Sequence, residues 1–352
     1  MAFRLIDSRP DALPQTLSSS DGSPLIDGQG RTVSYLRLSV TDRCDLRCSY
    51  CMPERMKFLP KKDVLSFEEL TRLVEAFIER GISKLRITGG EPLVRRDVIM
   101  LLERLAGLRE HSALKEVALT TNGTRLVEFA GQLKSLGVDR INVSLDSLNR
   151  ETFASLTRRD VFNDVMEGLN AAKKAGLSVK INTVALRGVN EHELPDLISW
   201  AHGEGFDLSL IEVMPLGEGM SERSSDFLSL ETVKSRLAKH WTMTPLDYST
   251  GGPSRYVEVK ETGGRLGFIS PLSHNFCSTC NRIRVTCTGE LHTCLGHENG
   301  VDLRSALRRD DNMETFHALL DQSLGTKPAR HDFDQERIDT PSTRRTMSVT
   351  GG

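Results

Sequence analysis

Cys44-Asp45-Leu46-Arg47-Cys48-Ser49-Tyr50-Cys51 gathers three of the chain's seven cysteines into one short stretch, spaced C-x3-C-x2-C. Thiolates are soft ligands suited to iron–sulfur clusters, zinc and Cu(I). A structural zinc site wants four ligands, and only three are local here. In a [4Fe–4S] cluster each iron normally takes one Cys, so three thiols leave one iron open to an exchangeable ligand. A zinc site borrowing a distant fourth ligand is the competing reading.

Outward from this loop, the chain alternates strands and helices. Tyr35-Leu36-Arg37-Leu38-Ser39-Val40 reads as a strand with Arg37 and Ser39 on one face. Ser66-Phe67-Glu68-Glu69 has the form of a capping box and opens a helix ending near Arg80. Strands follow over 84–88, 116–121, 140–145, 177–184 and 207–214, with helices over 95–106, 124–136, 161–175 and 192–203 between them. Such alternation implies a parallel sheet with right-handed crossovers. Six strands fit an α/β fold with an incomplete, TIM-like (β/α)6 barrel. Ligands of (β/α) barrels sit at the carboxyl ends of strands. The cysteine loop, Gly89-Gly90-Glu91-Pro92, Thr120-Thr121-Asn122-Gly123 and Met214-Pro215 all fall there.

Beyond about residue 216 the alternation breaks into a helix near 229–240, short strands around 243–248, 255–260 and 265–270, and helices near 302–309 and 312–322. The division expected is a flexible arm over 1–30, a partial barrel over 31–220, a smaller α+β region over 221–326 and a tail over 327–352. A net charge of −2 argues against a general nucleic-acid binder. No apolar run approaches the ~18 residues of a membrane span, and Met1 to Pro14 lacks a signal peptide's apolar core. A cytoplasmic chain is expected, with its clustered cysteines as metal ligands rather than disulfides.

A second thiol set is Cys277-x2-Cys280-x13-Cys294, with Cys287 inside it. On spacing alone a zinc knuckle, using all four cysteines or three with His292 or His297, is favoured over a second iron–sulfur cluster. Arg282 and Arg284 share one face of the extended segment that follows. Inward arginines suit an anionic substrate rather than a zinc knuckle. Arg37, Lys84, Arg86 and Lys180 are likewise strand cations, and a lumen lined with them is costly unless an anion fills it. No P-loop string is present.

With both sets in view, the chain resembles the GTP 3′,8-cyclase family of radical S-adenosylmethionine (SAM) enzymes. The resemblance is carried by Leu36-Arg-Leu-Ser-Val-Thr-Asp-Arg-Cys44, Thr88-Gly-Gly-Glu-Pro-Leu-Val-Arg-Arg96, Leu119-Thr-Thr-Asn-Gly123, Asn142-Val-Ser-Leu-Asp146, Phe276-Cys-x2-Cys-Asn-Arg-Ile-Arg284 and the terminal Gly351-Gly352. It implies that Cys44, Cys48 and Cys51 bind a [4Fe–4S] cluster whose open iron takes SAM. Cys277, Cys280 and Cys294 would bind a second [4Fe–4S] cluster facing the guanine of GTP, with Cys287 an inert thiol. It further implies SAM contacts at Tyr50, Gly90, Ser144 and Met214. GTP contacts are implied at Arg37, Lys84, Arg86, Thr120, Lys180, Arg282, Ile283 and Arg284. Gly351 and Gly352 would enter the active site.

The implied reaction is abstraction of the ribose C3′ hydrogen by a 5′-deoxyadenosyl radical and closure onto C8, giving 3′,8-cyclo-7,8-dihydro-GTP for molybdenum cofactor biosynthesis. The implied partners are an external one-electron reductant and a downstream cyclic pyranopterin monophosphate synthase, with a homodimeric enzyme. The chain departs from the family at Asp45, where Asn is common, and at Thr350, where Ile is usual. It departs also at Ser209, where an Arg is usual. A radical SAM peptide maturase and a non-catalytic zinc protein are the alternatives.

Overall fold

The computed structural model describes residues 23–217, 223–309 and 313–351. Six strands run in chain order: β1 Tyr35–Ser39, β2 Lys84–Thr88, β3 Glu116–Thr121, β4 Arg140–Ser144, β5 Ser178–Ala185 and β6 Asp207–Glu212. Each pairs in parallel with the next. The crossovers carry α1 Phe67–Glu79, α2 Val98–Glu110, α3 Leu126–Ser135, α4 Arg150–Thr157, α5 Phe162–Lys174 and α6 Leu194–Gly203.

Local chemistry sets these boundaries. Ser66 accepts from the Glu69 backbone N–H at 3.2 Å and Glu69 accepts from the Ser66 N–H at 2.7 Å, so the capping box is formed. α1 then buries Leu70, Leu73, Val74 and Phe77, each worth roughly 1.5–3 kcal/mol of transfer free energy. α2 starts three residues later than the periodicity suggests, because Pro92–Val94 forms its own 3₁₀ turn and Asp97 is left-handed. α4 was not anticipated; Asn149 caps it and Phe153 and Leu156 bury its inner face.

The strand alternation separates two environments. Leu36, Leu38, Leu85 and Ile87 point outward into the core beneath the helices. Tyr35, Arg37, Lys84 and Arg86 take the opposite face.

The later strands are β7 Met243–Pro245, β8 Arg255–Val259, β9 Gly264–Ile269, β10 Arg282–Val285, β11 Glu290–His292 and β12 Val301–Asp302. They join the same sheet, whose order is β12-β11-β10-β1-β2-β3-β4-β5-β6-β9-β8-β7. β10 lies parallel to β1, and β9 lies parallel to β6. The C-terminal region therefore extends both edges of the barrel.

One expectation needs correction. Residues 1–22 of the anticipated arm lie outside the described residues, but 23–30 are not loose. Ile26 bridges Thr32, Leu25 is buried, and Arg31 pairs with Asp27 at 2.6 Å. Among the described residues no helix is long and apolar enough to cross a membrane.

Candidate active site

The first thiol loop leaves β1 and is braced from below. Arg47 and Ser49 donate their backbone N–H groups to the carbonyls of Thr157 and Leu156, each at 2.9 Å, so the end of α4 carries the loop. Cys51 N–H closes a turn on the Cys48 carbonyl at 3.0 Å. Asp45 is held by Asn122 Nδ2 and Thr124 Oγ1, both at 2.6 Å. Burial pushes the Cys44, Cys48 and Cys51 thiols up, Cys51 to about 12, and neighbouring thiolates and acids push Cys44 and Cys48 further. Soft metal coordination, which deprotonates a thiol outright, suits such a set. Among the described residues no three His, Cys, Asp or Glu side chains are spaced to hold a single ion.

The neighbouring strand tips lock onto this loop. Gly90 packs so closely on the loop that a Cβ there would fall 2.3 Å from the Arg43 carbonyl oxygen. Buried Glu91 accepts from Leu93 N–H, Thr121 Oγ1 and Asn122 N–H at 3.0, 2.9 and 2.6 Å. Burial still raises its carboxyl to about 7. Glu91 thus ties the Gly-Gly-Glu-Pro turn to Asn122, which in turn reaches Asp45.

Tyr50 donates its hydroxyl to Asp146 Oδ2 at 2.6 Å, and Asp146 Oδ1 accepts from Val184 N–H at 2.8 Å. Burial raises the Asp146 carboxyl to about 6, against the pull of these two hydrogen bonds.

Cys277 of the second thiol set opens and Cys280 follows a 3₁₀ turn, Cys277–Thr279, leading into β10, and Cys294 follows β11. Burial alone would raise the Cys280 thiol, but Arg282 and Lys327 bring it down to about 7. Cys287 is fully buried elsewhere and pushed up to about 12 by burial.

One cavity of about 220 Å³ joins the two halves. Tyr50, Ser144 and Met214 line it, and so do Cys277, Cys280 and Cys294, with Arg37, Arg86, Thr120, Lys180, Arg282 and Arg284. Arg37 stands in register with Arg284 on one side and Arg86 on the other. Burial, then Arg86, brings Arg37 down to about 10; burial, then Arg86, Arg140 and Arg37, draws Lys180 well below its ordinary value. Arg37 Nε, Arg86 Nε, Thr120 Oγ1 and Asn182 Oδ1 are buried with no hydrogen-bond partner. Like charges stacked this closely suit a polyanion.

Not every expected contact lies in the cavity. Lys84 does not line it: its ammonium pairs with Glu116 at 2.6 Å and bonds the Thr250 carbonyl, so its charge is already matched. Ile283 points to the opposite face from its arginine neighbours and is core. Gly90 acts as backbone behind the thiol loop. Ser209 faces Gly267 across the sheet and shares a 3.0 Å hydrogen bond with Ser254, so this wall is neutral.

The tail runs beside the segment that follows β6, where Leu216 bridges Thr343 and Gly217 N–H bonds the Thr343 carbonyl at 2.9 Å. Met347 then lines the cavity. Arg284 donates to the Gly351 carbonyl. Gly351 has φ +77°, and a Cβ there would lie 2.0 Å from Thr88 Oγ1. Gly352 lies outside the described residues.

Sequence reasoning missed Glu91, Asp146, Lys327, His331 and Phe333. The first two stand inside quoted motifs. The last three come from a polar tail with no periodicity to mark it.

The radical SAM superfamily pattern matches residues 38–201, and the Molybdenum Cofactor Synthesis C pattern matches 206–333. The chain is 58% identical to the GTP 3′,8-cyclase of Erythrobacter litoralis, over 94% of this chain and 99% of that one. It is 55% identical to the GTP 3′,8-cyclase of Nitrobacter hamburgensis, over 95% and 97%. Among solved structures, Streptococcus suis SuiB bound to S-adenosylmethionine aligns with a TM-score of 0.61 at 14% identity, covering 85% of this chain and 69% of that one. Native anSMEcpe with bound AdoMet aligns at 0.53 and 17%, covering 74% of each. These two likenesses concern the fold.

Proposed function

The chain belongs to the GTP 3′,8-cyclase family of radical SAM enzymes, and we propose that its central cavity is the chamber in which GTP is bound and cyclised. The family acts at the first step of molybdenum cofactor biosynthesis, and its cofactors are two [4Fe–4S] clusters and SAM. In this reading Cys44, Cys48 and Cys51 hold the first cluster, and Cys277, Cys280 and Cys294 hold the second. When bound, SAM and its cluster would supply a 5′-deoxyadenosyl radical able to take the ribose C3′ hydrogen; closure of C3′ onto C8 of guanine would leave a radical on the base, which one electron and one proton convert to the 7,8-dihydro product.

The protein's own work is placement and exclusion of water. Arg37, Arg86, Lys180, Arg282 and Arg284 bind the triphosphate, offsetting their mutual repulsion. Thr120 adds a hydroxyl. Tyr50, fixed by Asp146, sets the adenine side of SAM, while Ser144 and Met214 contact its nucleoside. Gly90 lets the turn approach the methionine end. Gly351 brings bare backbone to the reacting centre, where a side chain would collide with Thr88.

The observation carrying this reading is the shared cavity: a residue of the first thiol loop and all three thiols of the second set line one space with five cations, Arg86 and Lys180 buried and Arg37, Arg282 and Arg284 partly so. The reading adds an external one-electron reductant, delivery to a cyclic pyranopterin monophosphate synthase, a cytoplasmic setting and a homodimer. It keeps the anticipated division into partial barrel, C-terminal region and tail.

Anaerobic iron and sulfide analysis, followed by incubation with SAM, dithionite and GTP, tests it. Cyclised GTP and 5′-deoxyadenosine should appear together. Equal 5′-deoxyadenosine with and without GTP, or a colourless zinc-loaded protein, overturns it.

A further inference from the structure

Lys327 is only 3% exposed and follows the helix Glu314–Gly325. Its ammonium donates to the Arg282 carbonyl at 3.1 Å and to the Thr293 carbonyl, and it lies 3.8 Å from Cys280 Sγ. Arg282 follows Cys280 by two residues, and Thr293 immediately precedes Cys294. One side chain therefore spans both segments that carry the second thiol set.

A buried ammonium is costly unless negative charge compensates it. Asp27, an acid that acts on Lys327, is already paired with Arg31 at 2.6 Å. The groups nearest its ammonium are the Arg282 and Thr293 carbonyls and Cys280 Sγ. Arg31 braces the same region, donating to the carbonyls of Cys277, Pro328 and Ala329 at 2.7, 2.7 and 3.0 Å. Arg282 also approaches Cys280 Sγ, at 3.7 Å, but it lines the cavity and is shared with substrate. Lys327 is not among the lining residues, so its charge faces the thiol segments and not the substrate space.

We propose that Lys327 is a positioning residue for the second cluster, its charge drawing the two thiol segments together and raising that cluster's reduction potential. The inference rests on the reading that Cys277, Cys280 and Cys294 hold the cluster. Reduction adds one negative charge to it, and a buried cation against a ligand sulfur favours that added electron. Hydrogen bonds to sulfur and local charge are the protein's levers on such potentials.

The test uses the full chain with Cys44, Cys48 and Cys51 changed to Ala, so that only the second cluster is read in an EPR-monitored redox titration. Lys327→Gln keeps hydrogen-bond donors without the charge, and Lys327→Arg keeps the charge. With iron and sulfide per chain unchanged, the Lys327→Gln midpoint should shift to lower potential while Lys327→Arg stays near the parent. An unshifted midpoint in fully loaded Lys327→Gln overturns the proposal. If Lys327→Gln loses iron, retention in Lys327→Arg supports the charge, and loss in both overturns it. A parent that itself binds no cluster sinks the ligand assignment, and the inference with it.

Discussion

Arg37 on β1 stands in register beside Arg86 on β2, and both guanidiniums are turned into the same enclosed space. Arg284 on β10 extends the row on the other side of Arg37. The fold holds this arrangement at a cost that an anionic ligand offsets.

Arg86→Met should therefore act in opposite directions on stability and binding. GTP affinity should fall roughly 10- to 100-fold, from charge-assisted hydrogen bonds worth ~1.5–3 kcal/mol. Without GTP the variant should melt no lower than the parent, and the rise in melting temperature that GTP gives the parent should shrink. Calorimetric titration and thermal melts measure both.

Asp146 carries a pH dependence. Its folded pKa, about 6, lies above the unfolded carboxyl value. Below roughly pH 4 both states are protonated. Between about 4 and 6 the unfolded chain releases the proton first, so this group's contribution to stability is lost as pH rises. Relative to Asp146→Asn, the parent apo chain should gain stability as pH falls from 6 to 4. Urea unfolding at pH 4.5 and 7 reads this difference. Asp146→Asn and Tyr50→Phe should each weaken SAM binding several-fold, since Phe removes the 2.6 Å bond that aims the ring and Asn strips it of its charge assistance.

Gly351→Ala should cut cyclisation at least ~10-fold, because its Cβ would meet Thr88 and its φ is positive. Deleting Gly351 and Gly352 should abolish it. Iron content and SAM binding should persist in both, which separates a role in placement from loss of the fold. Product analysis beside iron assay decides it.

Ser209→Arg, which introduces the residue that the resemblance leads one to expect here, should not improve this enzyme. Ser209 packs against Ser254, and a Cβ on the opposing Gly267 would already lie 2.5 Å from Ser209 Oγ. Overpacking should cost roughly 1–3 kcal/mol, with no gain in GTP affinity. Denaturation and GTP titration check the two halves.

The six barrel strands were legible to within two residues because apolar alternation and Gly stops are local signals. The thiol sets and strand cations were legible as residue types at fixed spacings. The pairing of Arg37 with Arg284 was not, since β1 and β10 are joined by a parallel contact across most of the chain. Nor was the matching of Lys84 by Glu116, which depends on the register between β2 and β3. Lys327 carries no local mark at all: its importance comes from two carbonyls and a sulfur that meet it only after folding.

The attachment of β10 to β1 and of β9 to β6 has a consequence for how the molecule comes into being. While the ribosome is still reading the C-terminal third, the nascent barrel presents two bare strand borders, each able to recruit a stray neighbour. The first thiol loop and its braces in α4 and Asn122 are translated early, whereas the second thiol set that lines the chamber comes late. A chain truncated before Arg282 would lack a border strand and the Arg282 and Arg284 side of the chamber.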